Sequence, residues 1–402
     1  MTRRRPRLVV AVAALAALGV AGLALLAGCA GGGSDAAPRA TTGAGQEEAG
    51  GLERCAALAD DSARSCYAEE LNALVDEAAD PEAALEEIAV AAYTSPDGFL
   101  LASCHGLMHT VGREYAVSRG VTLATLMDVL PQTNEPGCSA GFAHGLITGV
   151  APEIDVSRPQ DSAAVCDETT TRYQRYSCIH GFGHAFMRIA GEELVEALRY
   201  CTALGLEAPD CAQGAFHDYW FAVIGHDGTE RPHTVVEDPR ALCGEQAPEF
   251  VRPCWYRAFV DDRPDRPVAS GADIEALCSG LDGLQREGCV TAASVVGPID
   301  PAVQLSICSE LRGADVVSCI RGTKVQNLIA SPGEELVALL RQCDVFPDVT
   351  GLECYRWLGK VLAVVTNGEF EQLGCPAAPN ERARRVCVEG ARAIDGPLET
   401  FS

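Results

Sequence analysis

Residues 194–217, LVEALRYCTALGLEAPDCAQGAFH, contain the unit that decides the fold. Leu194, Leu198 and Cys201 recur at the spacing that places side chains on one face of a helix. After a short loop, Cys211 begins a second segment with helical character. A disulfide between Cys201 and Cys211 would join the two helices of a hairpin. The stretch therefore predicts a repeat unit made of a helix, a cysteine, a loop, a second cysteine and a second helix.

The same unit recurs along most of the chain. Apart from Cys29 there are 18 cysteines, which form nine sequential pairs. Eight pairs are separated by 10 to 12 positions: Cys55/Cys66, Cys166/Cys178, Cys201/Cys211, Cys243/Cys254, Cys278/Cys289, Cys308/Cys319, Cys343/Cys354 and Cys375/Cys387. From Cys138 onward the second cysteines recur every 30 to 43 residues, which is close to the length of a helical-hairpin repeat.

These observations predict an all-α fold, a solenoid of helical hairpins stapled by disulfides over residues 52–395. The dipeptides Asp238-Pro239 and Asp300-Pro301 support it, because a capping side chain before proline is typical of a helix start. The layout resembles disulfide-containing Sel1-like and tetratricopeptide arrays. Since the sequence signatures of those families are absent, the resemblance implies an architecture and no function.

The ninth pair, Cys104/Cys138, has an irregular spacing of 34 residues. We expect this pair to be bonded as well, because otherwise both cysteines would lack a partner. The bond would link the helix that bears His109 to the helix that bears His144. Thiolate metal sites are the competing interpretation of the cysteines, but zinc sites favour shorter spacings and a reducing compartment.

The N-terminus indicates the compartment. Residues 3–7 carry four arginines, residues 8–28 are uncharged and apolar, and the segment closes with LAGC at residues 26–29. This pattern resembles a bacterial lipoprotein signal peptide with its lipobox. The resemblance implies cleavage before Cys29, acylation of its sulfur by fatty acids such as palmitate, and anchoring at the extracytoplasmic face of the cell membrane. The alternative is a plain transmembrane anchor. Residues 29–51 are then a flexible tether.

The charge balance excludes one class of partner. The chain has 31 lysines and arginines against 56 aspartates and glutamates, a net charge of −25. Without residues 1–28, which contain four arginines and no acid, the net charge is −29. A nucleic-acid binder needs a basic face, so we expect no nucleic-acid partner. The high cysteine content indicates an oxidising compartment.

The histidines are in register with the cysteines of three consecutive repeats. His144, His184 and His217 each lie six positions after a second cysteine, with a glycine halfway, in the motif C-x-x-G-x-x-H. Later repeats keep the cysteine and the glycine, as at Cys319/Gly322 and Cys387/Gly390, but not the histidine. A residue required by packing alone should persist along the array, so the histidines point to a function. The glycines would let helix backbones approach closely.

Two repeats carry a pair of histidines at H-x-x-x-H spacing, His105/His109 and His180/His184, and the second pair shares His184 with the motif. On a helix this spacing places two imidazoles on one face, close enough to share a metal ion. The sequence therefore predicts two metal sites, one made by His105, His109 and His144 and the other by His180, His184 and His217. A tightly curved array would merge them into one composite site, and this alternative stays open.

Imidazole ligands suit a transition metal ion such as zinc, copper or iron, and the sequence does not decide among them. Met108 and Met187 lie near the histidine pairs and would favour copper, although packing is the ordinary role of methionine. Glu114 and Asp218 are the carboxylates nearest to the histidines in the sequence. Each could act as a general base, orient an imidazole as its hydrogen-bond partner, or be a surface charge.

Other metal chemistries find less support in the sequence. Gly106 and Gly181 stand where the H-E-x-x-H motif of zinc peptidases has glutamate, which argues against a peptidase of that kind. Haem bound by two histidines stays open, but the C-x-x-C-H attachment motif is absent. His226 and His233 lie in a polar stretch with proline and glycine and are interpreted as loop residues.

Two functions from different classes follow. In the first, residues 52–235 hold a transition metal at the cell envelope, with or without enzymatic activity, and residues 236–402 are scaffold or a partner surface. In the second, the array is a metal-free module that binds another envelope protein, as solenoids commonly do. Aromatic residues beside the late cysteines would then be contact residues: Trp255, Tyr256, Tyr355 and Trp357.

Overall fold

The computed structural model describes residues 51–58, 60–78, 80–94, 99–133, 135, 137–220, 238–261, 268–298, 300–323, 333–366, 368 and 370–393. Within these ranges the chain forms twenty α-helices joined by short loops and 3₁₀ turns, and no β-strand. The predicted all-α, disulfide-stapled solenoid is confirmed.

Ten helices form a continuous series in which each packs against the next. We call these the inner helices: α2 (Asp60–Glu77), α4 (Phe99–Arg119), α6 (Cys138–Gly149), α8 (Arg172–Ile189), α10 (Ala208–Trp220), α12 (Pro248–Asp261), α14 (Gly283–Val295), α16 (Ala314–Arg321), α18 (Asp348–Val365) and α20 (Glu381–Arg392). Most of their residues are buried, so they form the continuous core of the array.

The other ten helices alternate with the inner helices along the chain, and most of them are shorter. They are α1 (Gly51–Ala56), α3 (Pro81–Thr94), α5 (Leu126–Val129), α7 (Pro159–Ala163), α9 (Leu194–Thr202), α11 (Pro239–Gly244), α13 (Gly271–Leu277), α15 (Pro301–Cys308), α17 (Gly333–Arg341) and α19 (Phe370–Leu373). Asp238 and Asp300 cap α11 and α15, since each carboxylate accepts a hydrogen bond from a backbone N–H of the first turn.

Nine disulfides join the nine sequential cysteine pairs. Eight of them connect a short helix or 3₁₀ turn to the inner helix that follows it. The ninth, Cys104–Cys138, connects the inner helices α4 and α6 directly. This difference explains the irregular spacing, because the chain between these cysteines includes a whole connecting segment rather than one loop.

The inner helices often begin before the second cysteine rather than at it. Helix α10 starts at Ala208 with Pro209 in its first turn, and α18 starts at Asp348, directly after Pro347. Proline is favoured at the beginning of a helix, where its missing N–H would have no partner in any case. The prolines of the loops therefore start these helices three to six residues earlier than the cysteine pattern suggests.

Cys66 differs from the other paired cysteines, although its predicted disulfide with Cys55 is confirmed. Its place in the helix is the common one, because Cys66 lies six residues after Asp60, the first residue of α2, as Cys354 lies six residues after Asp348, the first residue of α18. The difference is in exposure: Cys66 is half-buried, whereas the other 17 paired cysteines are buried. Among the described residues no inner helix precedes α2, so α2 has one inner neighbour instead of two. The first staple of the array is therefore less shielded than the others.

Glycines three residues after a second cysteine set the closest approach between neighbouring inner helices. A Cβ atom at Gly214 would lie 2.0 Å from the carbonyl oxygen of His180, and one at Gly390 would lie 2.0 Å from that of Arg356. Gly322 contacts the carbonyl of Thr291 in the same register. No side chain fits at such distances, so each glycine lets two backbones touch. The close approach predicted for the glycine of the C-x-x-G-x-x-H motif is confirmed for Gly141 and Gly214, whereas a Cβ atom at Gly181 would meet the side chain of Ile147.

The array curves tightly enough to bring distant repeats together. Helices α4 and α10 are separated in the series by α6 and α8, yet the rings of His105 and His217 have centroids 5.7 Å apart. Further along, α18 contacts α8. The inner helices therefore face one another as well as their sequence neighbours.

Within the described ranges, no helix combines the length and the hydropathy that crossing a membrane requires. The proposed signal peptide, Cys29, the tether up to residue 50, His226 and His233 lie outside the described residues.

Candidate metal centre

Six histidines from four successive inner helices meet in one cluster. Helix α4 contributes His105 and His109, α6 contributes His144, α8 contributes His180 and His184, and α10 contributes His217. Five of them are at most 5% exposed, and only His105 is half-buried. We call these six residues the histidine cluster.

The cluster replaces the two separate trios expected from the sequence. The rings of His109 and His184, which belong to different expected trios, have centroids only 4.5 Å apart. The rings of His144 and His180 are 4.6 Å apart. The composite site, left open by the sequence, is therefore the arrangement in the structure, because the curvature of the array closes the distance between the two halves.

Two sets of three histidines have ring nitrogens within 4.8 Å of one another. The first set is the expected one, His105, His109 and His144. The second is His144, His180 and His184, so His144 takes the place expected for His217 and belongs to both sets. His217 lies beside them, with its ring 5.2 Å from that of His184.

Two of the nitrogen–nitrogen distances in the first set match those between ligands on a tetrahedral ion. Its ring nitrogens are separated by 3.1 Å between His105 Nε2 and His109 Nε2, and by 3.3 Å between His109 Nε2 and His144 Nδ1. Ligands bound to zinc at about 2.0–2.1 Å in tetrahedral geometry lie about 3.3 Å from one another. His105 Nδ1 lies 3.2 Å from the carbonyl oxygen of Gly137, which favours a proton on Nδ1 and a lone pair on Nε2.

The second set lies deeper, and His180 is fully buried. Burial lowers the pKa of His180 well below its usual range, and His144, His184, Arg257 and His105 lower it further. The ring is thus held in the neutral form that binds metals. His180 Nδ1 is 3.5 Å from the hydroxyl of Tyr176, while its buried Nε2 has no hydrogen-bond partner among the described residues. A buried polar atom without a partner is costly, and a metal ion would satisfy it.

Two carboxylates and one guanidinium border the cluster. Asp218 Oδ1 lies 3.0 Å from His184 Nδ1, which fixes the proton of His184 on Nδ1 and leaves Nε2 to bind a metal. Asp261 Oδ1 lies 3.9 Å from His217 Nε2 and 3.4 Å from a terminal nitrogen of Arg257. All of these groups are buried.

The other sequence-based candidates lie elsewhere. Glu114 is exposed and accepts a hydrogen bond from Asn72, so it is not the base or imidazole partner considered for it. Met108 and Met187 are fully buried in the hydrophobic core, which is the packing role. Of the two carboxylates considered, only Asp218 lies at the cluster.

Several residues of the site were not predicted from the sequence. Asp261 and Arg257 come from α12, the repeat after the last histidine, and Ser177 lies 3.0 Å from His144 Nε2. One signal was present: Arg257 and Asp261 lie three and seven residues after Cys254, on the face of an inner helix that follows the histidine-bearing ones. Two charged residues one turn apart on the core-facing side of such a helix indicate a functional site, because packing alone would favour apolar residues there.

The donor set fits a transition metal. The cysteines of the described region are all in disulfides, so imidazole nitrogens and carboxylate oxygens are the strong ligands near the cluster. Neutral imidazoles suit zinc, copper and iron, whereas calcium and magnesium prefer oxygen ligands. The buried His180 is held neutral and His184 is oriented by Asp218, so both rings are in the form that binds a transition metal.

Fold and site together define a class: an all-α, disulfide-stapled solenoid with a buried histidine cluster where four inner helices converge. No protein-family model, no curated protein and no solved structure matches this chain.

Replacing Asp218 by asparagine is expected to weaken metal binding about 10- to 100-fold, the usual cost of losing the partner that orients a ligating histidine. The amide keeps the size of the side chain but loses the charge that holds the proton on His184 Nδ1. Competition with a chelator of known affinity measures the change. Asp161→Asn, an exposed carboxylate in α7, is the matched control and should leave the affinity unchanged. Equal affinities in the Asp218→Asn and parent proteins would contradict this role.

Proposed function

We propose that this protein is a cell-envelope lipoprotein that holds a transition metal ion in the histidine cluster. One observation supports the metal above all others: ring nitrogens of His105, His109 and His144, from two inner helices, are spaced by 3.1 and 3.3 Å, as ligands on a tetrahedral ion are. Hydrogen bonds between neutral imidazoles give similar distances, but they do not explain why six histidines converge in a nearly buried site.

The half-buried His105 gives the cluster its link to solvent. The five other histidines are nearly inaccessible, so an ion would enter past His105 and bind among groups that exclude water. Such a site suits the retention of a metal. It also suits metal-dependent catalysis on a small substrate, provided that the substrate reaches His105.

The location is proposed from the N-terminus. The arginines of residues 3–7, the apolar residues 8–28 and the LAGC sequence ending at Cys29 support export, cleavage and lipid attachment. Nine disulfides are in keeping with an oxidising compartment. A lipid anchor would hold the metal site outside the cytoplasmic membrane.

Elemental analysis tests the metal. The mature protein with Cys29→Ser and intact disulfides is dialysed against a weak chelator, and its metal content is measured by mass spectrometry. We expect one or two equivalents of one transition metal, lost in the His105→Ala/His109→Ala and His180→Ala/His184→Ala variants. The matched control is Thr291→Ala/Val295→Ala, because these residues lie two and six positions after Cys289, the places of His180 and His184 after Cys178.

The opposite result favours the alternative function. Substoichiometric metal that is the same in the parent and in both histidine variants would leave a metal-free solenoid that binds an envelope protein. The four aromatic residues suggested as contacts for such a partner differ in exposure. Trp255, Tyr256 and Tyr355 are buried in the core, and Trp357 is half-buried. Three of the four are thus packing residues, which weakens the alternative.

A further inference from the structure

Among the described residues, Arg257 of α12 is the one arginine or lysine that is buried, with 1% of its surface exposed. Its Nη1 lies 3.4 Å from Asp261 Oδ1, and the same oxygen lies 3.9 Å from His217 Nε2 of the histidine cluster. Its two other nitrogens, Nε and Nη2, are buried and have no hydrogen-bond partner among the described residues. A buried guanidinium with unused donors is costly, so Arg257 needs a further acceptor.

The place of Arg257 in its repeat directs it towards the helices that bear the histidines. It lies three residues after Cys254, the place that Gly214 has in α10. Gly214 contacts the backbone of the preceding inner helix at His180. By the same register, Arg257 lies on the side of α12 that faces α10, and these two helices pack together. The charge of Arg257 is also one of the causes that lower the pKa of His180, so its field reaches the second set of the cluster.

The two unused nitrogens form one edge of the guanidinium, with N–H groups that point in the same direction. Such an edge matches two oxygens of a planar carboxylate or carbonate. Other arginines of this chain use the edge in this way. Arg199 donates from Nε and Nη2 to the two oxygens of Glu196, at 2.9 and 2.6 Å, and Arg286 holds Asp315 with the same two nitrogens. The edge of Arg257 has no such carboxylate among the described residues.

A metal ion in the histidine cluster would make an anion at this edge more favourable. The ion would add positive charge near a buried guanidinium, and charges in a buried region are screened little. Asp261 already faces Nη1, so it does not occupy the Nε/Nη2 edge. Three histidine ligands also leave one position of a tetrahedral ion open. An oxyanion has enough oxygens to meet both the guanidinium and the metal.

From these observations we propose that the Nε/Nη2 edge of Arg257 binds a small oxyanion, either bicarbonate or a short carboxylate such as formate, at the border of the histidine cluster. The buried surroundings limit the ligand to a few atoms, and the paired donors select two oxygens in one plane. The inference rests on the proposed function in one respect, because the metal supplies a second contact for the anion. Metal and anion then strengthen each other's binding by the same factor.

Equilibrium dialysis with radiolabelled formate tests the proposal on the mature protein with Cys29→Ser and intact disulfides, at constant ionic strength. The protein is measured free of metal and after loading with zinc. We expect about one equivalent of bound formate, with an affinity about fivefold or more higher in the zinc-loaded form. Unlabelled bicarbonate should displace the formate and chloride should not, since a monoatomic ion does not present two oxygens in one plane. The relative affinities of bicarbonate and formate distinguish the two anions.

Two replacements of Arg257 separate its donor edge from its charge. Arg257→Gln removes both, and Arg257→Lys keeps the charge but lacks the planar pair of donors. Each should weaken formate binding about tenfold or more, the usual effect of losing hydrogen bonds to a charged group. Thermal melting followed by circular dichroism shows which variant folds, and either one suffices. The matched control is Arg199→Gln in α9, which removes an exposed arginine with a carboxylate on the same edge and should bind formate as the parent does.

The outcomes keep the anion site and the metal site apart. Formate bound through Arg257 by a protein that retains no zinc would support the anion site and overturn the metal function. Retained zinc without saturable formate binding would overturn the anion site and leave the metal function intact. Formate affinity that is the same in the parent and in Arg257→Lys would also overturn the anion site, because the donor edge would then have no effect.

Discussion

Replacing His144 by alanine is expected to lower the metal affinity of the whole histidine cluster by more than about 100-fold, a larger loss than that from a residue that only orients a ligand. His144 is the one histidine that belongs to both close sets, with His105 and His109 on one side and with His180 and His184 on the other. Its removal therefore leaves two ligands in each set, whereas replacing any other histidine of the cluster leaves at least one set complete.

The measurement is metal content after dialysis, together with the increase in melting temperature on adding the metal. A ligand present at 100 times its dissociation constant stabilises the folded state by about 2.7 kcal/mol, so loss of binding removes a measurable shift. Val295→Ala is the matched control, because the buried Val295 lies six residues after Cys289, the place of His144 after Cys138, and its replacement leaves all six imidazoles intact.

Comparing the loss of metal affinity between histidine variants distinguishes a ligand shared by both sets from a histidine that belongs to neither. His217→Ala should lose less affinity than His144→Ala, since His217 belongs to neither close set. If His217→Ala and His144→Ala lost metal equally, the two sets would not describe the site. If the metal-free His144→Ala protein failed to fold, His144→Gln would preserve a polar side chain at this position and allow the same comparison.

Removal of the Cys104–Cys138 disulfide is expected to cost both stability and metal affinity. The bond closes a loop of 34 residues, and on chain entropy alone its loss costs about 4 kcal/mol of unfolding free energy. It also connects α4 to α6 beside their histidines, so Cys104→Ala/Cys138→Ala should loosen the spacing of His105, His109 and His144. We expect a further loss of metal affinity of at least tenfold.

The matched control is a disulfide far from the histidines. Cys308–Cys319 closes a loop of 11 residues in the second half, and its loss should cost about 3 kcal/mol with unchanged metal affinity. Urea denaturation measures the stability of both variants, and chelator competition measures the metal. An equal loss of affinity in the two variants would mean that the Cys104–Cys138 bond has no particular effect on the site.

The repeat unit, a helical hairpin joined by a disulfide, was predictable from the sequence. The cysteine pairs, their spacing and the apolar periodicity around Leu194 and Leu198 predict helical hairpins joined by disulfides, and the structure contains them. These signals are local, because a helix face and a ten-residue loop are decided by neighbours in the chain. The start of α10 at Ala208 differed from the prediction for a local reason too, since Pro209 favours the first turn.

The candidate site was predictable in part for the same reason. The register of His144, His184 and His217 after their cysteines placed each on a defined face of its helix. The glycine halfway, as at Gly214, indicated the close contact of backbones that brings those faces together. These local patterns did not show which histidines of different repeats would come together.

By itself, therefore, the sequence determined the helices, their disulfides and the side chains that one face of the array presents. Only the tertiary structure decided that His144 belongs to both sets, that His217 stands beside them, and that Asp261 of α12 reaches the cluster. The physical reason is curvature. Many packing contacts together set the angle between successive inner helices. A small change of this angle in each repeat adds up and moves residues four repeats apart by many ångströms.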